Sequence, residues 1–327
     1  MREIQFRDAI KEAMSEEMRR DKDVFLLGEE VAEYNGAYKA SQGMLDEFGA
    51  DRVIDTPIAE LGFSGIAVGA AINGLKPIVE YMTFNFSLVA IDQIINAAAK
   101  IMSMSGGQYS CPIVFRGPTG NAGQLGAQHS SNFENWYANT PGLKVVIPSN
   151  PYDAKGLLKS AIRDPDPVIF MESEVMYGDK ADVPEGEYLI PIGKATVVEK
   201  GSDVTIVSFG KMVPRVVLPA VEALKKEGIS VEVIDLRTVR PIDYATIVES
   251  VKKTNRCVVV EEGPPLAAIS SEISYHLQRN AFDYLDAPVI RVNSMDIPLN
   301  YAPTFIEATL PNEKRVMDAV KEVMYKK

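Results

Sequence analysis

Residues 52–87 read RVIDTPIAELGFSGIAVGAAINGLKPIVEYMTFNFS and combine a strand pattern, a helix pattern and a second strand pattern. The first strand-like run ends near Asp55, and a helix rich in Gly and Ala follows it. The second strand, KPIVEYM, leads into a cluster of aromatic residues, Tyr81, Phe84 and Phe86. This order of elements is typical of an α/β protein with a largely parallel sheet.

Glu60 is the one acid at the start of the apolar helix in this stretch. Because its surroundings are apolar, we expect a desolvated carboxyl group with a perturbed pKa, which suits proton transfer. A second interpretation is that Glu60 only stabilises the helix dipole from the first turn. Core packing likewise provides an alternative explanation for Phe84 and Phe86, and the stretch alone leaves both alternatives open.

Strand and helix patterns alternate along most of the chain. VFLLGEE, KPIVEYM, PIVFRG, LKVVIPS and PVIFME have the pattern of buried strands. FSLVAIDQIINAAAKIM and PYDAKGLLKSAIRD lie between them and predict helices. The second of these helices has Pro151 in its first turn and Asn150 as its N-cap.

A segment rich in Gly, Pro and charged residues interrupts this alternation, and a second alternation follows it. Such a segment is typical of a connection between domains. We therefore predict two doubly wound α/β domains, residues 1–185 and residues 202–327, joined by a linker at residues 186–201.

The chain has 327 residues, a formal net charge of −11 and no run of five basic residues. The negative charge makes nucleic acids and anionic membrane surfaces unfavourable partners. The first 21 residues are charged throughout and predict an amphipathic helix, not a signal peptide. The longest apolar stretch is too short and too rich in Gly to cross a membrane. We expect a cytoplasmic protein.

Several common site motifs are absent from the sequence. Cys111 and Cys257 lie far apart inside apolar runs, which predicts buried, reduced thiols. No Cys/His spacing suits zinc, and neither a dinucleotide-binding fingerprint nor a P-loop motif occurs. The glycine-rich residues 117–126 taken alone favour a flexible loop over a phosphate cradle. His129 follows this loop and is a weak catalytic candidate, whereas His276 lies on a predicted helix and is expected to be structural.

Taken together, the segments closely resemble the beta subunits of the decarboxylating component of pyruvate dehydrogenase, a transketolase-like, thiamine-diphosphate-dependent 2-oxoacid dehydrogenase family. The resemblance covers nearly the whole chain, and its elements occur in the family's order. GEEVAEYNGAYK and MTFNFS look more like the pyruvate type than the branched-chain type. The segments that carry it are FLLGEEVAEYNGAYKAS, DTPIAELGFSGIAVGAA, EYMTFNFS, DQIINAAAK, GPTGNAGQLGAQHS, PGLKVVIPS, SEVMYG, VIDLRTVRPID and EISYHLQR.

The resemblance implies a pyrimidine-binding domain followed by a transketolase C-terminal-like domain. Members of related families hold the diphosphate of the cofactor through Mg²⁺, with a Gly-Asp-Gly segment and a downstream Asn. Gly-Asp-Gly is absent here, and Gly178-Asp179-Lys180 is the nearest approach. The family therefore implies an alpha subunit that supplies these ligands, an α₂β₂ heterotetramer, and docking on a lipoyl acyltransferase core.

The resemblance also implies the residues around the pyrimidine of thiamine diphosphate. Glu60 would hydrogen-bond the ring nitrogen and favour the imino tautomer. Phe86 would stack on the ring, and Ile58 and Met82 would line the same pocket. Glu29 looks like the family's second acid at this site.

Two further roles follow from the resemblance. His129 would face the substrate and the incoming lipoyl group, either near the carboxylate or as a proton donor to sulfur. A monovalent cation, K⁺, would be held by Ile113, Ala161, Asp164 and Asp166. Asp166 departs from the family, which commonly has Asn at that position.

Three alternatives remain at the level of the sequence. A branched-chain 2-oxoacid dehydrogenase or acetoin dehydrogenase beta subunit would use the same residues. A transketolase or a 1-deoxyxylulose-5-phosphate synthase-like enzyme would need its own diphosphate motif, which is missing. A non-catalytic scaffold subunit would not need the catalytic candidates Glu60, Phe86 and His129.

Overall fold

A computed structural model describes residues 1–326. Over this range the strands form a seven-stranded sheet, a five-stranded sheet and a two-stranded ribbon. The strands are β1 (Arg2–Gln5), β2 (Val24–Gly28), β3 (Val53–Asp55), β4 (Lys76–Glu80), β5 (Val114–Pro118), β6 (Lys144–Val146), β7 (Val168–Glu172), β8 (Lys180–Val183), β9 (Thr196–Glu199), β10 (Val204–Ser208), β11 (Val231–Asp235), β12 (Thr238–Arg240), β13 (Cys257–Val260) and β14 (Ile290–Val292).

Helices connect most of these strands, and short 3-10 or π-type turns occur between them. The helices are α1 (Phe6–Arg20), α2 (Met44–Phe48), α3 (Glu60–Ile72), α4 (Ile101–Met104), α5 (Glu134–Ala138), α6 (Pro151–Arg163), α7 (Leu218–Lys226), α8 (Tyr244–Thr254), α9 (Ile269–Asn280), α10 (Pro303–Thr309) and α11 (Glu313–Val323). Pro151 is in the first turn of α6, and the Asn150 side chain caps this helix, as predicted.

The seven-stranded sheet has the order β12-β6-β7-β5-β4-β2-β3. Strands β2, β3, β4, β5, β6 and β7 are parallel to one another, and β12 pairs with β6 in the antiparallel direction. Helices α1 and α6 cover one face, where Ile10 and Leu157 pack among the apolar residues of the strands. Helix α3 covers the other face through Phe63 and Ala67. Helices on both faces explain why the strand sequences are largely apolar.

The five-stranded sheet has the order β14-β13-β10-β11-β9 and is parallel except for the edge strand β9. Helices α7 and α11 cover one face through Val221 and Val320. Helices α8 and α9 cover the other face through Ile247 and Ile273, and their core is continuous with that of α3. The predicted doubly wound α/β fold is confirmed, with two sheets that each carry helices on both faces.

Three local features differ from the sequence prediction. Residues Arg2–Gln5 form β1, which pairs with β8, so the helix begins only at Phe6. The linker predicted at residues 186–201 carries the edge strand β9, and β8 lies just before it. The predicted helix after Phe86 is divided into a 3-10 turn, a π-type turn (Gln93–Ala98) and the short α4. Short edge strands and irregular turns are set by tertiary pairing, which periodicity does not report.

Candidate active site

The predicted site residues follow the carboxyl ends of four neighbouring strands. Glu29 comes directly after β2, and Glu60 opens α3 after β3. Met82 and Phe86 follow β4, and His129 lies in the loop that follows β5. Because these strands are adjacent and parallel, their carboxyl ends meet at one edge of the sheet, where α/β proteins bind ligands.

Glu29 and Glu60 form a buried pair of carboxyl groups, with 4% and 6% of their surface exposed. Burial raises the pKa of Glu29 to about 7, and the charges of Glu60 and Glu80 add to this effect. A hydrogen bond from the backbone N–H of Met82 opposes it. The Oε1 atom of Glu29 has no hydrogen-bond partner in the structure. A buried oxygen without a partner is unfavourable and indicates a position that a ligand can complete.

Below this pair, a buried ion cluster holds the strand ends in place. Arg116 on β5 donates from Nε and Nη2 to the two carboxylate oxygens of Glu172 on β7, both at 2.6 Å. Its Nη1 donates to Glu80 on β4. Tyr177 donates to Glu172 at 2.7 Å. Because all four side chains are buried, this network ties three strands together below the site.

The aromatic cluster divides into core residues and one residue of the site. Tyr81 and Phe84 are fully buried, and their rings meet edge to face at 5.5 Å. The Tyr81 hydroxyl lies 2.7 Å from Ser64 Oγ on α3. Phe86 is only half-buried, and its ring lies edge to face with His129 at 5.1 Å between centroids. Phe84 thus belongs to the core, whereas Phe86 and His129 share the open edge.

The loop that carries His129 is closed at its base. Gly120 N donates to Ser131 O at 3.0 Å, and Ser131 N donates to the Asn85 side chain at 3.0 Å. Gly120 has a φ of +74°, and a Cβ atom there would lie 2.7 Å from Asn132 Oδ1. The base of the loop therefore requires glycine at this position.

Two other residues of the prediction lie apart from this group. Ile58 precedes α3 and is 80% exposed, so it lines no closed pocket within the described chain. His276 on α9 stacks on Tyr244 at 3.8 Å between ring centroids, and burial lowers its pKa. Its place on a helix of the second sheet agrees with a structural role.

The four residues expected to hold a monovalent cation lie together, but their oxygens already have protein partners. The Ile113 carbonyl accepts a hydrogen bond from β7 at 2.9 Å, and the Ala161 carbonyl accepts one from Asp164 N at 3.2 Å. Lys144 Nζ lies 2.6 and 2.8 Å from the two carboxylate oxygens of Asp164 and 3.0 Å from Asp166 Oδ2. The Lys144 ammonium group therefore occupies the carboxylates that a monovalent cation would need and would compete with it.

A second polar cluster, which was not among the predicted site residues, lies on the other side of the His129 loop. Its members are buried side chains from both halves of the chain: Glu134, Lys211, Glu261 and Glu262. The available signal was the acid pair in RCVVVEEG, at the end of strand β13. Charged residues at the end of a buried strand lie at the ligand-binding edge of a parallel sheet.

Comparison with known proteins identifies the family. The model of the transketolase pyrimidine-binding domain matches residues 2–180, and that of the transketolase C-terminal domain matches residues 193–316. The chain is 56% identical over 321 residues to the pyruvate dehydrogenase E1 component subunit beta of Rhizobium meliloti (strain 1021), covering 98% of the chain and 70% of that relative. It is 54% identical to the subunit of the same name from Rickettsia felis, covering 99% of each chain.

The chain belongs to the family of pyruvate dehydrogenase E1 component beta subunits. A mitochondrial relative from Oryza sativa subsp. japonica, subunit beta-1, is 53% identical over 99% of the chain and 88% of that relative. A split-gene transketolase, solved as an inactive beta4 tetramer, has a TM-score of 0.79 at 21% identity over 98% of each chain, which shows the shared fold. The family resemblance found in the sequence is confirmed, and these relatives carry the pyruvate-type name.

Two general properties of the described residues concern metals and membranes. Within residues 1–326, no three His, Cys, Asp or Glu side chains gather in a way that could hold a metal ion. No helix in this range is both long and apolar enough to cross a membrane. Cys111 and Cys257 are buried and unpaired, as predicted.

Proposed function

We propose that this chain is the beta subunit of a pyruvate dehydrogenase (acetyl-transferring) component. The reaction is the thiamine-diphosphate-dependent oxidative decarboxylation of pyruvate, with reductive acetylation of a lipoyl group. The observation that carries the proposal is the buried Glu29–Glu60 pair, whose unpartnered oxygen lies at the same strand edge as Phe86 and His129. The family of the chain supports the same activity.

The residues present fit the pyrimidine half of thiamine diphosphate. Bound there, the cofactor would supply the electron sink that 2-oxoacid decarboxylation requires. Glu60 would hydrogen-bond the ring nitrogen, and the surrounding apolar residues would strengthen this bond by excluding water. Phe86 offers a half-exposed aromatic face for the ring, and Met82 lies beside it in the chain. Ile58 would join the pocket from the rim.

Glu29 and Glu60 divide the proton between them in this proposal. Because burial and the charge of Glu60 raise the pKa of Glu29 to about 7, Glu29 holds a proton through much of the neutral range. A neutral Glu29 leaves Glu60 free to act as the carboxylate that exchanges a proton with the ring nitrogen. Repulsion between two ionised carboxylates in one buried site disfavours ionisation of both, which supports this division.

His129 acts later than Glu60 in the proposed sequence of steps. Its ring contacts the edge of Phe86 and is partly exposed, so one side of it is open to solvent, where this proposal places the substrate. From there it can orient the substrate carboxylate or donate a proton to the lipoyl sulfur during acetyl transfer. Both roles need only a hydrogen-bonding nitrogen at the open edge.

The complete enzyme requires partners in this proposal. An alpha subunit would supply the Mg²⁺ ligands for the diphosphate, and two copies of each chain would form an α₂β₂ heterotetramer that docks on a lipoyl acyltransferase core. The cytoplasmic location stays a prediction, since named relatives include bacterial and mitochondrial proteins. The K⁺ site also stays a prediction, and the Lys144 ammonium group would compete with K⁺ for Asp164 and Asp166. A change in thermal stability between KCl and choline chloride tests whether K⁺ binds.

The Glu60→Gln variant tests the assignment in the assembled complex. Gln keeps the shape and a hydrogen bond but cannot exchange a proton, so hydrogen–deuterium exchange at C2 of the cofactor should slow by at least about a hundredfold. Glu33→Gln, a change to an exposed acid near the same edge, is the matched control and should leave the exchange unchanged. Near-normal exchange in Glu60→Gln would refute the role. Turnover of pyruvate, branched-chain 2-oxo acids and acetoin separates the proposed substrate from the alternatives.

A further inference from the structure

An ion pair from the second sheet contacts the loop that carries His129. Lys211 follows β10 and Glu262 follows β13, so both stand at the carboxyl ends of adjacent strands. Lys211 Nζ lies 2.8 Å from Glu262 Oε1, and both side chains are buried. The pair faces the first domain, where the loop leaves β5.

The two charged groups bind one residue of the loop from both sides of its backbone. Asn121 N donates to Glu262 Oε1 at 2.7 Å. Lys211 Nζ donates to Asn121 O at 2.5 Å. A Cβ atom on the preceding Gly120 would lie 3.0 Å from both oxygens of the Glu262 carboxylate. The loop backbone therefore passes directly against the ion pair.

Among the acids of this cluster, Glu262 forms the ion pair with Lys211, whereas Glu134 Oε2 has no hydrogen-bond partner in the structure. Glu261 accepts hydrogen bonds from Ile269 N at 3.1 Å and Ser270 N at 2.8 Å, at the start of α9. Burial and the charge of Glu261 raise the pKa of Glu134 to about 8, so Glu134 is mostly neutral at pH 7. Glu134 is thus mostly neutral, and Glu261 is bonded to the backbone at the start of α9. Glu262 is therefore the close carboxylate partner of the buried Lys211 ammonium group.

The loop has a second set of anchors on the first domain. Gly120 N bonds to Ser131 O, and Ser131 N bonds to the Asn85 side chain, one residue before Phe86. His129 lies between the two anchored ends, at Asn121 and Ser131. Release of Asn121 would leave the near end of the loop held by the Gly120–Ser131 bond but not by the second sheet, and the position of the His129 ring against Phe86 would be less strongly fixed.

We propose that Lys211 and Glu262 are positioning residues for His129. They hold the Asn121 peptide across the domain interface and so fix the loop in which His129 faces the substrate channel. This inference rests on the proposed function for its effect on catalysis, but the attachment of the loop can be measured without any assay of activity.

The experiment compares Lys211→Met with wild type in two ways. Amide hydrogen exchange over residues 120–131 of the full chain reports whether the loop is held. We expect exchange at least about tenfold faster in the variant, because the buried charge pair and the hydrogen bond from Lys211 Nζ to Asn121 O are lost. In the complex, kcat/KM for acetylation of a lipoyl domain should fall about tenfold, with C2 exchange unchanged. Lys252→Met removes an exposed ion pair with Glu249 and is the matched control.

A double variant, Lys211→Met with Glu262→Gln, covers the case in which Lys211→Met fails to fold. It removes both charges, so no buried charge is left unpaired and the fold is retained. We expect its loop to exchange as rapidly as that of the single variant. Wild-type protection of residues 120–131 in either folded variant would overturn the proposal, and so would rapid exchange with unchanged lipoyl acetylation. If the wild-type complex shows no activity on pyruvate, the proposed function fails, and the exchange data alone decide whether the pair holds the loop.

Discussion

At the residue scale, the central feature is that two buried acids, Glu29 and Glu60, lie side by side. Glu29 is buried, has one oxygen without a partner, and has a pKa raised to about 7 by burial first and by Glu60 second. Glu60 is equally buried and stands in the first turn of α3, where the helix dipole favours a negative charge. The helix-dipole interpretation of Glu60 and its proposed chemical role are therefore compatible.

Glu60→Gln should lower the pKa of Glu29 in the isolated chain. The change removes the neighbouring charge but not the burial, so the pKa should move part of the way from about 7 towards its ordinary value of 4.5. Carbon-13 NMR titration of the carboxyl groups measures this pKa directly, with Glu33→Gln as the control. An unchanged pKa would show that burial alone causes the shift.

The same shift determines how Glu29 affects stability as the pH changes. Its folded pKa is higher than its unfolded pKa, so its contribution to the free energy of unfolding is fully present below about pH 4.5. This contribution is lost as the pH rises through about 7. The Glu60→Gln variant should lose less of this contribution. Its free energy of unfolding should therefore increase relative to that of wild type as the pH rises over this range. Urea unfolding at several pH values checks the sign.

His129→Ala should affect acetyl transfer more than decarboxylation. The proposed cofactor pocket contains Glu29, Glu60 and Phe86 and does not include the imidazole, so C2 exchange should persist. Acetylation of a lipoyl domain should fall by about a hundredfold or more if the imidazole donates the proton to sulfur. Decarboxylation with an artificial electron acceptor is the parallel assay. Equal losses in both assays would place His129 in substrate binding instead, and no loss in either would make it a structural residue of the loop.

At the element scale, the strands and the larger helices could be predicted because their patterns are local. The strands VFLLGEE, KPIVEYM and PVIFME are apolar runs of the length that a buried parallel strand needs, and β2, β4 and β7 lie within them. The cap at Asn150 and the start of α6 at Pro151 follow from the same local chemistry. These features depend on a few neighbouring residues and need no knowledge of the rest of the chain.

The contacts between distant elements could not be predicted in this way. Strand β12 (Thr238–Arg240) comes from the second half of the chain but pairs with β6 at the edge of the first sheet. The hydrogen bonds of Lys211 and Glu262 to Asn121 join residues that lie about ninety positions or more apart in sequence. Lys144 lies twenty positions from Asp164, and no spacing rule indicates that its ammonium group would pair with this acid. Such contacts depend on the three-dimensional arrangement of the strands and helices, which local sequence patterns do not report.

Gly120→Ala tests whether the conformation of the loop base is required. Its φ of +74° is unfavourable for Ala, and the new Cβ would lie 2.7 Å from Asn132 Oδ1. Gly126→Ala is the matched control, because its φ is +81° but nothing lies within 4 Å of its Cβ. We expect Gly120→Ala to destabilise the chain by about 1–3 kcal/mol more than Gly126→Ala, measured by urea unfolding. Equal losses would show that backbone strain alone matters at the base.

At the scale of the whole molecule, the chain presents half of a site at the edge of its first sheet. The buried acids, Phe86 and His129 would bind a pyrimidine ring and face its substrate. Ile58 at the rim remains 80% exposed, as expected for a side chain that another surface can cover. The second sheet contributes Lys211 and Glu262, which bind the loop of the first domain. Both domains therefore contribute to one edge, which a second chain would complete in the proposed enzyme.

The most direct test of this account is calorimetric titration of thiamine diphosphate with Mg²⁺. The titration is made into this chain alone, into its alpha partner alone, and into the two together. We predict weak or undetectable binding to this chain alone and tight, Mg²⁺-dependent binding to the mixture, because the chain offers the pyrimidine residues without a Gly-Asp-Gly segment. Tight, Mg²⁺-dependent binding to this chain alone would contradict the half-site account.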